Sequence, residues 1–590
     1  MSLDAQATIG DESSNLRPQQ QTSISIAILG SGGSGVMTAG EMLLEAAGRC
    51  GLYGMMTRSS GPQIRGGEAA ALLRLSQQPV ENHKGRFDIL LAIDWLNADR
   101  FVGEIILDRQ SLVIGDVGSE VPDAITSMGG RMIGLPLTNS AKAVRGGRPN
   151  TVALGLLGTA IGLPSAILTD AVQKKLQKLG QDAVAANTAA LELGCKLAGG
   201  LPEIATLEAQ RSAIGGRWSI SGNEAAGMGA IRGGIRFVAA YPITPATEIL
   251  EWLAPALKKV GGVLVQAEDE LASINQLIGA SYGGTPALTA TSGPGLALMT
   301  ESIGLAVASE TPVVVVDVMR GGPSTGIPTK SEQSDLNIAL YGLHGDAPHL
   351  VLAPVSIGDC LFTTQWASYL AETLQTAAIV LSDQSLGQTR AVIDRPADIT
   401  FVSGGRKLAR VDSGYQRYAV TESSVSPMTL PGMPGGQYTA DGLEHNPLGN
   451  PSSRAEDHSA QLEKRKRKLE QFEYGDHWAS IEGSGETAVI TWGSSCGPVR
   501  EALALMAAEG IPTRLVAIRL LLPIQPERLA SALKGVKRVL VVEQSHGAQF
   551  HLYLRAHYDL PGEVKSLAIP GPLMIRPDAV YHRLTHWEES

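Results

Sequence analysis

Short apolar runs alternate with amphipathic helical stretches along most of the chain after residue 22. In the middle of the chain this pattern predicts strands at 235–240, 263–267, 286–290, 312–319 and 377–382, each followed by a helix. Such alternation is typical of a parallel sheet with right-handed crossovers. The run of four valines within 312–319 is typical of a central strand that is buried on both faces. The sequence therefore predicts an α/β fold.

The same alternation begins earlier and returns near the end of the chain, which indicates several domains. A length of 590 residues suggests about four domains. A stretch rich in Gly, Pro, Ser and charge separates the second set of strands from the last and is longer than ordinary loops. The predicted units are a polar leader at 1–22, a first domain at 23–205, a second at 215–396, a linker with a charged helix at 397–484, and a last domain at 485–590.

Composition narrows the classes of function. The formal net charge of −10 argues against a nucleic-acid-binding or anionic-membrane-binding surface. The four cysteines have no C-x-x-C spacing, so we expect no zinc or iron–sulfur ligands and no metal site on this chain. A polar N-terminus and the lack of a membrane-length apolar run favour a cytoplasmic protein.

Two strand ends in the second predicted domain carry groups that suit ligand binding. Strand 235–240 runs into a turn with two prolines, in which Pro245 is expected to open a helix with Glu248 in its first turn. The next strand runs into an acidic triplet that ends at Glu270. Because ligands bind at the carboxyl ends of strands in open α/β sheets, Thr244 and Glu270 are predicted to share one edge. The alternative for Glu270 is a helix N-terminal charge that stabilises the helix by about 0.3–1 kcal/mol.

Two further strand ends add to this edge. The Ser292–Gly295 loop lets a backbone approach a planar ligand closely, because no side chain intervenes. Arg320 follows the valine-rich strand and can form a forked pair with a carboxylate, with the Thr325 hydroxyl assisting. Lys330 provides a second cation nearby. A single arginine is more often a surface residue, but successive strand ends with such groups favour a site.

A glycine loop follows the first predicted strand. Its spacing, Gly30-x-Gly32-x-x-Gly35, is that of dinucleotide-binding loops and of helix N-termini that hold anions. NAD binding needs an acidic residue about 20 positions further on, and 54–60 contains none, although Arg58 can receive a 2′-phosphate. NAD(P), another phosphorylated ligand and a structural turn all remain open. The Pro62–Glu68 segment suggests a tight loop at a ligand or subunit edge, or a surface turn with an ion pair.

Taken as a set, these motifs resemble a known family. Four segments resemble the α subunit of 2-oxoacid:ferredoxin oxidoreductases, namely Tyr241–Pro245, Ala267–Glu270, Thr291–Gly295 and Arg320–Thr325. The glycine loop and Pro62–Glu68 resemble the γ domain of those enzymes, here fused in front. The Thr329–Asp335 segment with Arg320 is most similar to the 2-oxoglutarate type. The resemblance covers nearly all of the chain after residue 22.

The resemblance implies a fold and a set of site residues. The fold would combine a γ domain, a thiamine diphosphate-binding pyrimidine domain with a parallel sheet, and a transketolase C-terminal-like domain. Glu270 would contact the aminopyrimidine ring and promote its imino form, while Thr244, Arg320 and Thr325 hold the substrate and Lys330 reaches a distal carboxylate. The implied cofactor-binding residues are Tyr241, Pro242, Ile243, Glu270, Gly293 and Gly295. The implied coenzyme A or phosphate contacts are Gly30, Gly32, Gly33 and Gly35.

The implied reaction is that of 2-oxoglutarate, coenzyme A and oxidised ferredoxin giving succinyl-CoA, CO2 and reduced ferredoxin, or the reverse carboxylation. The chain shows neither a diphosphate-binding Gly-Asp-Gly motif nor cluster cysteines. The family places both, with Mg²⁺ and a 4Fe-4S cluster, on a separate β subunit in a heterotetramer, so this chain alone is expected to be inactive. The alternatives are another 2-oxoacid such as pyruvate or a branched-chain acid, an NAD(P)-dependent dehydrogenase, and a scaffold with a vestigial site.

The basic run 464–468 lies in the predicted linker helix. It is interpreted either as a docking surface for an acidic ferredoxin or as a solvated helix face.

Overall fold

A computed structural model describes residues 22–61, 67–208, 216–399, 405–411 and 414–588. Its strands, β1 to β20 in chain order, are Ser23–Ser31, Tyr53–Ser60, Glu68–Ser76, Ile89–Ala92, Leu112–Asp116, Arg131–Leu135, Arg217–Ser221, Phe237–Ala240, Val263–Gln266, Ala287–Thr291, Val313–Met319, Leu350–Leu352, Ala377–Asp383, Arg390–Asp394, Ala479–Gly483, Thr487–Thr491, Thr513–Ile518, Leu520–Leu522, Arg538–Glu543 and Glu563–Ala568. Its helices, α1 to α18, are Val36–Arg49, Asp123–Thr126, Leu137–Lys142, Pro149–Ala160, Ser165–Leu176, Gln181–Leu197, Gly222–Arg232, Thr247–Lys259, Glu270–Tyr282, Gly293–Ala308, Leu336–Tyr341, Asp359–Leu374, Gln384–Gln388, Ala455–Glu470, Cys496–Ala508, Pro526–Ala532, Gln549–His557 and Pro577–Thr585.

The first sheet joins segments from two of the predicted units. Its strand order is β6-β5-β4-β1-β3-β2-β14-β7. Strands β7 and β14, which lie within the predicted 215–396 unit, extend the sheet by antiparallel pairing of β14 with β2 and of β7 with β14. The first and second units therefore share a continuous sheet.

The second sheet has the order β18-β12-β13-β11-β10-β8-β9. Its strands from β8 to β13 pair in parallel, which confirms the predicted α/β architecture. The valine-rich β11 lies between β10 and β13 and is buried along its whole length, as predicted. Strand β18 from the last unit closes one edge by antiparallel pairing with β12. The third sheet, β15-β17-β16-β19-β20, forms the core of the last unit.

The basic run on α14 is not a continuous solvated face. Lys464, Arg465 and Lys468 are buried, whereas the Lys466 side chain is largely exposed. Lys464 and Lys468 both pair with the fully buried Glu310, at 2.6 and 3.2 Å. The expectation of a solvated or docking face is therefore wrong for these three residues, because Glu310 on the second unit binds the two lysines and Glu444 binds Arg465 at 2.9 Å.

Among the described residues, we find no helix that combines the length and the apolar character needed to cross a lipid bilayer.

Candidate active site

The Thr244 turn connects β8 to α8. The amides of Ala246 and Thr247 both donate to the Ile243 carbonyl, so a tight turn closes before the helix begins. Helix α8 starts at Thr247, two residues later than the predicted start at Pro245, and Glu248 lies in its first turn as expected. The turn leaves Thr244 partly exposed at the carboxyl edge of the sheet.

Glu270 is the first residue of α9 at the neighbouring strand end. Asp269 caps this helix by accepting a hydrogen bond from the Ala272 amide, which fixes the direction of the first turn. The Glu270 side chain is buried, yet its carboxylate accepts no hydrogen bond from any described residue. A carboxylate on a buried side chain that lacks a protein donor is available to a donor on a ligand.

Gly295 is placed directly against this carboxylate. A Cβ atom at Gly295 would lie 2.9 Å from Glu270 Oε1 and would collide with Glu270 Cγ and Thr291 Oγ1. Any side chain here would displace Glu270. A Cβ atom at Gly293 would likewise lie 2.5 Å from an oxygen of Asp335. Glycine is thus required at both positions of the Ser292–Gly295 loop because a carboxylate approaches each of them closely.

Arg320 joins the end of β11 to the Thr244 turn. Its Nη1 donates a 2.5 Å hydrogen bond to the Thr244 carbonyl, and the side chain is buried. Its Nε has no partner within the described parts of the chain. The structure therefore brings Thr244, Glu270 and Arg320 to one edge of the sheet. Thr325 and Tyr241 also follow strands of this edge, but both are exposed.

Two buried carboxylates beneath this edge were missed by sequence reasoning. Asp317 lies on β11 opposite Thr291 in the sheet register, is fully buried, and has no hydrogen-bond partner on either oxygen among the described residues. Burial, reinforced by Asp335, raises the pKa of Asp317 well above its usual range. Burial also raises the pKa of Asp335 to about 7, although Arg320 opposes the shift. The sequence signal for this cluster was Asp317 itself, an acidic residue within the valine-rich strand.

The Thr329–Asp335 segment connects all three units. The Lys330 ammonium pairs with Glu104 and donates a 2.8 Å hydrogen bond to Ser59 Oγ, both in the first unit. Gln333 is fully buried and hydrogen-bonds the last unit at three atoms: the Trp492 carbonyl, Ser495 Oγ and the Gln544 amide. Lys330 lines a small cavity of about 100 Å³, whereas Thr244 lines a larger cleft. The structure does not bring Lys330 and Thr244 into one cavity.

The larger cleft, of about 1050 Å³, lies between the glycine loop and the Thr244 turn. Its lining includes Gly32, Gly33 and Gly35 on one side, Thr244 and Glu248 on the other, and Arg58 and Arg148 at its borders. Within the described ranges, the amides of Gly33 and Gly35 donate no hydrogen bond. These amides precede α1, so they present donors and the positive end of a helix to the cleft. Of the Pro62–Glu68 segment, residues 62–66 lie outside the described residues.

The sheet order excludes the dinucleotide arrangement that the glycine spacing left open. In that fold the second strand lies directly beside the first, which places its acidic end against the ribose. Here β3 lies between β1 and β2 and is antiparallel to both. Arg58 on β2 pairs with Glu41 at 2.7 Å. The NAD(P) alternative therefore has neither the required acid nor the required strand adjacency.

Large apolar side chains are exposed around the candidate site. Each of them lies close in the chain to a candidate site residue or on the helix that follows it. These exposed residues are Tyr241, Leu271, Leu298 and Ile327. Strand β9, at the edge of the second sheet, also exposes Val263. Clustered apolar exposure of this kind is typical of a surface that another chain covers.

Comparison with known proteins identifies the class of enzyme. Residues 228–464 match the family model of pyruvate flavodoxin/ferredoxin oxidoreductase, thiamine diphosphate-binding. Residues 25–197 match the family model of pyruvate ferredoxin/flavodoxin oxidoreductase. The chain is thus an oxidoreductase subunit that combines a thiamine diphosphate-binding domain with a preceding oxidoreductase domain.

Individual relatives give the particular family. The chain is 29% identical to subunit alpha of 2-oxoacid:ferredoxin oxidoreductase 2 of Aeropyrum pernix, over 93% of this chain and 95% of the relative. It is 36% identical to 2-oxoglutarate synthase subunit KorA of Archaeoglobus fulgidus, over 56% of this chain and 88% of the relative. A solved structure of Magnetococcus marinus 2-oxoglutarate:ferredoxin oxidoreductase, with 2-oxoglutarate, coenzyme A and succinyl-CoA bound, matches 96% of this chain and all of its own, with a TM-score of 0.88 and 35% identity. The chain belongs to the family of 2-oxoacid:ferredoxin oxidoreductase α subunits, which work within a multi-subunit enzyme.

Proposed function

We propose that this chain supplies the pyrimidine side of a shared thiamine diphosphate site in a 2-oxoglutarate:ferredoxin oxidoreductase, and that it carries the site for coenzyme A. The observation that carries the proposal is the buried Glu270 carboxylate. It lies against Gly295, lacks a protein donor, and is close in the fold to the Thr244–Arg320 pair. Pyruvate or branched-chain substrates would use the same carboxylate and oxo contacts, so substrate choice is tested separately below.

Bound thiamine diphosphate supplies a nucleophilic carbon and an electron sink for loss of CO2 from a 2-oxoacid. Glu270 would accept a hydrogen bond from the pyrimidine ring and stabilise the imino tautomer. The Ser292–Gly295 backbone would pack against the ring face, because neither glycine carries a side chain that blocks it. Tyr241, Pro242 and Ile243 would border the ring from the adjoining turn.

Thr244 and Arg320 would hold the 1-carboxylate and oxo group of the substrate. The Arg320 guanidinium donates to the Thr244 carbonyl at one nitrogen, and its remaining donors are available for a carboxylate. Thr325 lies on the exposed loop after Arg320 and would close over the substrate. Lys330 would contact a distal carboxylate only after releasing Glu104, so any such role requires the two to separate.

Coenzyme A would bind in the cleft between the glycine loop and the Thr244 turn. The free amides of Gly33 and Gly35, with Gly30 and Gly32 shaping the turn, suit a pyrophosphate. Arg148 is exposed at the start of α4 and lines the same cleft. The cleft extends from the glycine loop to Thr244, and this path would carry the thiol end of coenzyme A to the substrate-binding turn.

The rest of the enzyme would come from partners. A β subunit would provide the diphosphate site with Mg²⁺ and a 4Fe-4S cluster, and would cover the exposed apolar residues beside Glu270. Two αβ pairs would form a heterotetramer that reduces ferredoxin, or uses reduced ferredoxin in the reverse carboxylation. The isolated α chain would then be inactive.

The test uses the complex purified under anaerobic conditions with its associated chain. We expect 2-oxoglutarate- and coenzyme A-dependent reduction of a viologen dye that requires the partner chain. Gly295→Ala should abolish thiamine diphosphate binding, because the added methyl displaces Glu270. Gly304→Ala is the matched control on the same helix, since a Cβ atom there meets no atom within 4 Å. Turnover by the isolated chain, or normal cofactor binding by Gly295→Ala, would contradict the proposal.

A further inference from the structure

Glu248 is a half-buried acid of the coenzyme A cleft that the proposed function does not yet use. It lies one helical turn after Thr244 and lines both the large cleft and an adjoining groove of about 510 Å³. It therefore borders the cleft on the side of the substrate-binding turn, at the end of the path described for coenzyme A.

The hydrogen bonds of Glu248 orient its carboxylate without neutralising it. Gln388 Nε2 donates to Oε1 at 2.6 Å, and Asn223 Nδ2 donates to Oε2 at 3.3 Å. Gln384 Nε2 donates to the side-chain oxygen Oε1 of Gln388 at 3.0 Å. This hydrogen bond orients the Gln388 side-chain nitrogen towards Glu248. Asn223 also donates to the Pro245 carbonyl at 2.9 Å and so ties Glu248 to the Thr244 turn. Both partners are neutral amides, which leaves the carboxylate able to accept a proton.

The other carboxylates of the cleft are already engaged. Glu68 pairs with Arg100 at 2.7 Å and accepts a hydrogen bond from Asn97. Asp94 accepts hydrogen bonds from the amide and hydroxyl of Ser31 and from the Leu96 amide. Both carboxylates are therefore already occupied by donors, and neither adjoins Thr244 in the chain. Glu248 alone among these three combines neutral partners with a place beside the substrate-binding turn.

The charges around Glu248 favour a basic carboxylate. Burial raises its pKa above the usual value, while Gln388 and Arg58 oppose the shift and Glu251 adds to it. Arg58 forms its ion pair with Glu41, and Arg390 forms its own with Glu224, so neither forms an ion pair with Glu248. A general base is most effective when its pKa approaches the working pH.

We propose that Glu248 is the base that accepts the thiol proton of coenzyme A when the acyl group is transferred. This inference rests on the proposed placement of coenzyme A. The S–H bond breaks and an O–H bond forms on Glu248, and the sulfur keeps the electron pair and bonds to the acyl carbon. The bond from that carbon to the cofactor would then break with its electron pair returning to the cofactor, after two electrons have passed to the iron–sulfur partner. The proton then leaves through the open cleft. In the reverse direction, protonated Glu248 returns the proton to the departing thiolate.

The experiment compares Glu248→Gln with Glu251→Gln in the complete enzyme. Glu251 is exposed on the same helix, so its variant removes the same charge one turn away. We expect unchanged coenzyme A affinity by calorimetry and an unchanged rate of the first, coenzyme A-independent reduction step in both variants. Only Glu248→Gln should slow the coenzyme A-dependent step, by about 10²–10⁴-fold at neutral pH.

The pH dependence separates a base from a structural group. Thiolate is the nucleophilic form, and a free thiol has a pKa of about 8.5. The defect of Glu248→Gln should therefore shrink about tenfold per pH unit as the pH rises towards 8.5. A defect that stays constant with pH, or no defect, overturns the inference. Arg148→Gln tests the underlying placement: if it leaves coenzyme A affinity unchanged, the proposed cleft is wrong irrespective of Glu248.

Discussion

Two clusters of buried charge in this molecule use similar residues in opposite ways. Glu310 is fully buried, and its carboxylate meets Lys464 and Lys468 while Arg417 binds its backbone carbonyl at 2.9 Å. These cations hold the pKa of Glu310 well below its usual range in spite of its burial. Asp317 and Asp335 are also buried, but Asp317 lacks any partner in the described chain. Their pKa values are raised, and Arg320 compensates Asp335 only in part.

The difference separates a structural from a functional arrangement. The Glu310 cluster attaches the linker helix to the second unit, and cations within the chain compensate the Glu310 charge. The cluster at Asp317, Asp335 and Arg320 leaves two carboxyls with raised pKa values beneath the candidate substrate site, and Arg320 offsets the shift of Asp335 alone. Buried carboxylates with raised pKa values are frequent at sites that bind or transform ligands. We therefore expect substitutions in the first cluster to lower stability, and those in the second to change how stability and activity depend on pH.

Glu270→Gln should have the largest effect on activity. Glutamine keeps the size of the side chain but cannot share a proton with the cofactor ring, so we expect turnover to fall about 10²–10⁴-fold. Folding should be unaffected, because no described residue donates a hydrogen bond to the Glu270 carboxylate. Dye reduction by the complete complex measures the loss. Glu268→Gln is the matched control, since Glu268 is exposed two residues away. Equal activity of the two variants would show that Glu270 does not take part in the reaction.

Glu310→Gln should have the largest effect on stability. It leaves Lys464, Lys468 and Arg417 buried without a counter-charge, and breaking a buried pair in this way costs about 3–5 kcal/mol. We expect a clear fall in the thermal unfolding midpoint, with the thiamine site intact in the molecules that remain folded. Lys466→Gln is the control within the same basic run, because Lys466 is exposed. Similar midpoints for the two variants would show that the cluster does not hold the linker helix.

The two clusters also show what the sequence could and could not predict. The strand ends at Thr244, Glu270 and Arg320 were predictable, because regular βα alternation places such ends at one sheet edge. The basic run was misinterpreted, since its partner Glu310 is more than 150 positions away and no local pattern links them. For the same reason, periodicity could not show that β7 and β14 join the first sheet. Glu248 was predicted in the first helical turn, but its hydrogen bond with Gln388 and its place in a cleft shared with the glycine loop depend on long-range contacts.

Asp335→Asn should stabilise the protein at alkaline pH. The pKa of Asp335 rises from its ordinary value near 4 to about 7 on folding, so the folded state binds the proton more tightly than the unfolded state does. The stability of the wild type therefore falls as the pH rises through this window, with the full penalty above pH 7. Asparagine removes the penalty, and we expect a gain on the order of 2–4 kcal/mol at pH 8 that fades towards pH 4. Unfolding at a series of pH values measures it, with the exposed Glu301→Gln as control. A gain that is independent of pH would contradict this assignment.

Lys330→Ala should have the smallest effect and tests substrate choice. If Lys330 exchanges Glu104 for the distal carboxylate of 2-oxoglutarate, its loss should raise KM for 2-oxoglutarate by about tenfold, corresponding to roughly 1.4 kcal/mol. KM for pyruvate, which has no distal carboxylate, should be almost unchanged. Glu104→Gln provides the complementary variant: releasing Lys330 from its partner should lower KM for 2-oxoglutarate without helping pyruvate. Equal changes for the two substrates would show instead that the Lys330–Glu104 pair only joins the first and second units. Specificity for the dicarboxylate would then have to come from residues elsewhere around the site.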